Sequence, residues 1–154
     1  MPIVFALDLG VKNTGFVILD IQKDGNFIKK IEIIEKGVFN EEDLFKFYNF
    51  LKEKSKKVDY IVYEDIFVAK NSKLALKLGE KRGVLKIVAV ENGKKCFGMQ
   101  TKLVKKIFAL SGKARKKQIK EVLKKILKIE EKNQHIVDAI ALAYASLFAR
   151  QIDI

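Results

Sequence analysis

Residues 62–83 read VYEDIFVAKNSKLALKLGEKRG, and this stretch sets the frame for the rest of the chain. An apolar strand, YIVYE at 60–64, runs straight into the adjacent acids Glu64 and Asp65. A helix over 72–90 follows and carries Gly79 and Gly83, although a glycine inside a helix costs about 1 kcal/mol relative to alanine. Strand, acid, loop and helix make one βα unit. Working outward, IVFALD at 3–8 has the same form, an unbroken apolar run that closes on Asp8. Continuous runs of this kind belong to central strands covered on both faces.

The neighbouring segments complete the pattern. FVILD (16–20) and the alternating FIKKIEIIEKGVF (27–39) follow the first strand across the turns GVKNTG and QKDGN, which predicts an antiparallel meander whose third strand is the most exposed. Residues 40–57 predict a helix with Asn40 as N-cap, acids in its first turn, and Leu44, Phe47, Phe50 and Leu51 at helical spacing. KKCFGM (94–99) predicts a fifth strand, and KLVKKIFAL (102–110) a further helix. Beyond the break at SGK, Ile119, Val122, Leu123, Ile126 and Leu127 form one apolar stripe, and residues 133–150 predict the last helix. A meander followed by right-handed βα units puts strand 1 in the centre beside strand 4. The fold class is α/β, a mixed five-stranded sheet in the order 3-2-1-4-5 flanked by helices. No repeat, linker or low-complexity segment divides the chain, so residues 1–154 read as a single domain.

Composition narrows the function. Thirty-one Lys and Arg against nineteen Asp and Glu give a net charge of +12 and an isoelectric point near 9.7, a balance that favours a polyanionic partner. The single cysteine, Cys96, excludes an internal disulfide and any multi-cysteine metal site, and suits a reducing compartment. The start MPIVFALDLG has no basic segment and an acid at position 8, unlike a signal peptide. No apolar run approaches the roughly 20 residues that span a bilayer. A cytoplasmic protein is expected.

Asp8 and Glu64 end adjacent parallel strands at their carboxyl termini, where open α/β sheets hold ligands. Two such carboxylates repel unless a cation lies between them. His135 and Asp138, three apart, project from one face of the last helix, and Ile136, Ala139, Ile140 and Ala143 supply the apolar face that holds it to the sheet. With that helix packed near the strand ends, Asp8, Glu64, His135 and Asp138 converge. Oxygen ligands with one imidazole suit Mg²⁺ or Mn²⁺, and two such ions about 4 Å apart are the usual device for in-line phosphodiester cleavage. Structural roles remain open for each: Asp8 capping the GVKNTG turn, Glu64 paired with a lysine, Asp138 as a surface acid.

The segments ALDLGVKNTGF, YEDIFVAKNSKLALKLGEKRGV, LVKKIFALSGKARKKQI and HIVDAIALAYA resemble, in order and spacing, the successive motifs of RuvC, the family of bacterial Holliday junction resolvases. The resemblance runs from about residue 3 to 145 and implies a ribonuclease-H-like fold. It places Asp8, Glu64 and Asp138 at the family's three acids, and His135 at a fourth position that holds Asp or His. Imidazole is the softer ligand, which leaves Mg²⁺ and Mn²⁺ both open. Asp65 stands where relatives often have an amide, and Asp-Leu-Gly replaces Asp-Pro-Gly in the first motif.

The same resemblance implies that Lys105 and Lys116 lie near the scissile strand. Phe67 takes the place of an aromatic used at the junction, and Lys70 and Asn71 share its DNA-facing loop. Ala75, Gly79 and Gly83 recur every four positions, leaving a smooth stripe for a close backbone approach by the domain's own sheet or by the same helix of a second subunit, and the resemblance implies a two-fold dimer built on this helix. The family cuts four-way DNA junctions in symmetric pairs during recombination and repair, leaves 5′-phosphate and 3′-hydroxyl ends, and works with the branch-migration proteins RuvA and RuvB. LDLGVKNTG also resembles the phosphate loop of actin-like ATPases, but those enzymes need a duplicated domain that 154 residues cannot supply. A ribonuclease-H-like relative acting on other branched DNA or on RNA is the remaining rival.

Overall fold

The computed structural model describes residues 2–25, 27–65, 72–109, 120–121, 123–125 and 128–152. A five-stranded sheet in the order β3-β2-β1-β4-β5 forms its centre, as the element order predicts. The strands are β1 (Ile3–Asp8), β2 (Asn13–Asp24), β3 (Phe27–Asn40), β4 (Tyr60–Asp65) and β5 (Lys95–Gln100). β1 pairs antiparallel with β2 and parallel with β4, and β4 pairs parallel with β5. This is the mixed sheet that a meander followed by βα crossovers dictates. β2 is longer than the apolar segment 16–20, because its ladder with β3 continues through the polar residues from Lys23 to Asp24. Backbone pairing carries it where hydrophobicity gives no signal.

Four helices are described: α1 (Leu44–Lys54), α2 (Ser72–Glu91), α3 (Thr101–Ala109) and α4 (Gln134–Ile152). The start of α1 corrects one expectation. Asn40 closes β3, and Asp43 is the N-cap, its carboxylate accepting the Lys46 amide at 2.9 Å. Glu41 and Glu42 therefore precede the helix, and its first turn contains no acid. An Asp next to the apolar run satisfies the free amides better than an Asn three residues earlier, whose own backbone is engaged in the sheet.

Strand alternation divides the core into two layers. Val4, Ala6, Tyr60 and Val62 face α4, whose Ile136, Ala139, Ile140 and Ala143 are buried as their spacing predicts. Phe5, Leu7, Ile61 and Tyr63 face α1 and α2, meeting Phe47, Leu51, Leu85 and Val88. The α4 layer includes a polar contact, the Tyr60 hydroxyl against Ser146 Oγ at 2.8 Å. Of the stripe proposed for residues 119–127, Leu123 is buried, and Ile119, Val122, Ile126 and Leu127 lie outside the described residues. Among the described residues, no helix is long and apolar enough to cross a membrane.

Candidate metal centre and nucleic-acid interface

Leu7 of β1 partners Tyr63 of β4 in the last pair of the parallel ladder, so the next residues, Asp8 and Glu64, stand side by side where that ladder stops. Alternation sends both toward α4: Asp8 continues the Val4–Ala6 face and Glu64 the Tyr60–Val62 face. Asp65 belongs to the other face. It pairs with Arg82 of α2 at 3.0 Å, and Arg82 in turn lies 5.8 Å from the Tyr63 ring. The pair is not aligned as a hydrogen bond: Asp65 Oδ1 and Arg82 Nε are buried without a hydrogen-bond partner. The EDI sequence thus places two acids on opposite sides of one strand, and only Glu64 points to the site.

α4 approaches this strand end because of a glycine. Gly15 of β2 stands directly opposite Asp8 in the ladder. A Cβ built on it would lie 2.2 Å from the His135 carbonyl oxygen and 2.8 Å from the His135 Cβ. Only a residue without a side chain lets the first turn of α4 come this close. Asn133 caps that turn, its Oδ1 accepting the His135 amide at 2.9 Å. Glu131 fixes the approach from outside by accepting the Lys36 ammonium of β3 at 2.7 Å and the Lys132 amide at 3.0 Å. Burial pushes the Glu131 carboxyl up, but these hydrogen bonds outweigh it and hold it below its ordinary value.

The outcome is a close pair. His135 Nδ1 lies 3.6 Å from Asp8 Oδ2, with the Asp8 side chain 15% exposed and that of His135 47% exposed. The other two acids are held by local donors. The Thr101 hydroxyl, at the start of α3, donates to Glu64 Oε1, and Gln134 Nε2 donates to Asp138 Oδ1 at 2.7 Å. As they stand, no three His, Cys, Asp or Glu side chains among the described residues gather closely enough to hold one ion. The chemistry of the set nevertheless fits a hard divalent cation: three carboxylates and an imidazole at one end of the sheet.

Lys105 lies one turn along α3 from Thr101, on the same side of the helix, and is half-buried. Phe67, Lys70, Asn71 and Lys116 lie outside the described residues. Two contributors to the strand end escaped the sequence reading. Thr101 and Gly15 carry no charge and no periodic signal, so only three-dimensional placement singles them out. A third is Lys81, on the buried side of α2. It is 2% exposed, donates to the Gly10 carbonyl at 2.8 Å and the Glu41 carbonyl at 3.1 Å, and lies 4.8 Å from the Phe47 ring. Burial pushes its pKa down, and the carboxylates of Glu42 and Glu41 only partly oppose that shift.

Among the described residues, the opposite side of α2 is uncovered. Added Cβ atoms at Gly79 and Gly83 would meet nothing within 4 Å, so the domain's own sheet is not what the small residues serve. Leu76, Ile87 and Val90 flank them at 69%, 60% and 79% exposure. With Gly83 they recur at helical spacing along one line. Ala75 is also exposed.

A family model described as "Crossover junction endodeoxyribonuclease RuvC" matches residues 4–146. This chain belongs to the RuvC family. The RuvC of Citrifermentans bemidjiense is 31% identical over 150 residues, spanning 92% of this chain and 89% of that protein. The RuvC of Dictyoglomus turgidum is 30% identical over 161 residues, spanning 97% and 98%. The fold of Thermus thermophilus RuvC, solved in complex with a Holliday junction substrate, superposes with a TM-score of 0.86 at 21% identity, covering 98% of this chain and 96% of that one. The ribonuclease-H-like architecture expected from the RuvC resemblance is therefore the observed one.

Proposed function

We propose that this RuvC-family protein is a metal-dependent endodeoxyribonuclease that resolves four-way DNA junctions by paired, symmetric nicking during recombination and repair in the cytoplasm. The observation that carries the proposal is the strand end. Asp8 and Glu64 leave neighbouring parallel strands on one sheet face, and α4 lays His135 against Asp8. Asp8, Glu64, Asp138 and His135 would hold Mg²⁺ or Mn²⁺, two ions per site. Ions held by these residues would supply activation of the attacking water and charge neutralisation at the leaving 3′ oxygen, consistent with 5′-phosphate and 3′-hydroxyl ends.

The chain's own groups supply position and charge. Thr101 orients Glu64, and Lys105 extends a cation from the same side of α3 toward the scissile phosphate. Lys116 acts with it, and the loop bearing Phe67, Lys70 and Asn71 contacts the junction, the aromatic ring by stacking on an exposed base. Symmetric cutting requires two sites related by a two-fold axis. The exposed stripe of Ala75, Leu76, Gly79, Gly83, Ile87 and Val90 forms the dimer face on α2. RuvA and RuvB are the expected partners for branch migration.

Removing charge from the strand end separates chemistry from binding. Asp8→Asn and Glu64→Gln are expected to abolish nicking of a labelled four-way junction in Mg²⁺, while gel-shift affinity measured without divalent ions stays within a few-fold of the wild type. Cutting by either variant at near wild-type rate would remove Asp8 and Glu64 from the chemistry.

A further inference from the structure

Lys81 is a charged residue in a position that an apolar side chain would occupy at lower cost. Its neighbours on the buried side of α2 are Leu85, Val88 and Ala89, and among the described residues it forms no salt bridge. Burying an ammonium is unfavourable unless its protons are taken up. Here they go to two backbone carbonyls on two different loops, Gly10 just after β1 and Glu41 just before α1.

Both loops border the strand end. Gly10 lies two residues beyond Asp8, in a turn so tight that a Cβ there would meet the Asn13 carbonyl oxygen at 2.1 Å. The Gly10 carbonyl also receives the buried Thr14 hydroxyl, at 3.4 Å. Between the two loops lies a shallow, open depression of 570 Å³ lined by Lys12, Asn13, Asn40, Glu41 and Glu42. One ammonium therefore ties together the turn that follows Asp8, the connector to α1, and the helix whose far side carries the apolar stripe.

We propose that Lys81 is a positioning residue: by holding the Gly10 and Glu41 carbonyls together it fixes the β1–β2 turn, and with it the direction in which Asp8 leaves the sheet. This rests on the assignment of Asp8 to the metal site. Groups that orient a ligand from outside the coordination shell change metal affinity by about 10- to 100-fold when removed. The effect belongs in the metal requirement, not in the grip on DNA, because Lys81 is shielded from solvent and phosphate.

The test uses Lys81→Met, which keeps the stem against Phe47 and removes the donor, and Lys81→Gln, which keeps a donor on a shorter stem. For Lys81→Met, half-saturating Mg²⁺ for junction cleavage is expected to rise about 10- to 100-fold, with the rate recovering at high Mg²⁺. Junction affinity without divalent ions stays unchanged, and Lys81→Gln falls between. In the metal-free protein, amide hydrogen exchange over residues 9–14 accelerates while that of β4 and α4 does not. Unchanged Mg²⁺ dependence and unchanged exchange overturn the proposal, as does failure of both variants to fold, which would make Lys81 a core residue only. Asp8→Asn run in parallel distinguishes the premises: if it still cuts, the metal-site assignment fails, and if it is inactive while Lys81→Met behaves as wild type, only the positioning role fails.

Discussion

Gly15→Ala is the most demanding perturbation of the strand end, because it changes one methyl group at a residue that touches no substrate. The added Cβ would sit 2.2 Å from the His135 carbonyl oxygen, inside the 3.0 Å that real Cβ contacts essentially never breach. The obstructing atom is backbone at the start of a helix and cannot rotate away. The first turn of α4 must therefore lift by about 1 Å from β2, and overpacking of this kind costs about 1–3 kcal/mol. In urea, where small proteins lose about 1–3 kcal/mol per molar denaturant, the unfolding midpoint is expected to fall by about 1 M. His135 moves with that turn and leaves its 3.6 Å contact with Asp8. A displacement of about 1 Å in a catalytic group can lower the rate roughly 100-fold. Single-turnover cleavage of a four-way junction at saturating protein reads that loss directly. A Gly15→Ala protein with wild-type midpoint and rate refutes the close-approach reasoning. One that is destabilised but cuts normally separates α4's packing from its role at the site.

Two further outcomes test other parts of the structure. Gly79→Leu meets open space within the protomer, so the helix gains about 1 kcal/mol of propensity and the monomer is stabilised. Association across α2 should weaken by more than tenfold, as sedimentation velocity will report, and a variant that remains dimeric moves the interface elsewhere. Glu131 is held below its ordinary value of 4.5, so its share of stability is present above that pH and is lost as pH falls through the lowered folded value. Thermal midpoints measured from pH 7 to 3 should therefore drop less steeply for Glu131→Gln than for the wild type, and parallel curves would remove Glu131 from the anchoring of α4.

Periodicity and unbroken apolar runs make the sheet legible in the sequence. IVFALD and YIVYE could only be central strands, and once they lay side by side Asp8 and Glu64 had to emerge together. Alternation along a strand also decides which of Glu64 and Asp65 faces α4, but only the contact with Arg82 reveals it. Less legible were the features that depend on what is absent or uncharged. Gly15 reads as part of a turn until α4 is seen against it. Thr101 has no pattern, and Lys81 is one lysine among many in a basic chain. The helix start at Asp43 was displaced to Asn40 because both are good caps, and the sequence alone does not say where β3 stops. The two glycines of α2 are conspicuous in the sequence, and among the described residues nothing fills the space beside them.

Cleavage of a four-way junction beside a linear duplex of the same sequence tests the central claim most directly. Mobility is compared with and without Mg²⁺, and each arm is labelled in turn to map the cuts. The proposed function predicts two nicks at symmetry-related positions on strands of like polarity, 5′-phosphate at each end, no cutting without the metal, and little cutting of the duplex. Equal binding and equal cutting of junction and duplex, or binding to both with no cutting in Mg²⁺ or Mn²⁺, would contradict it.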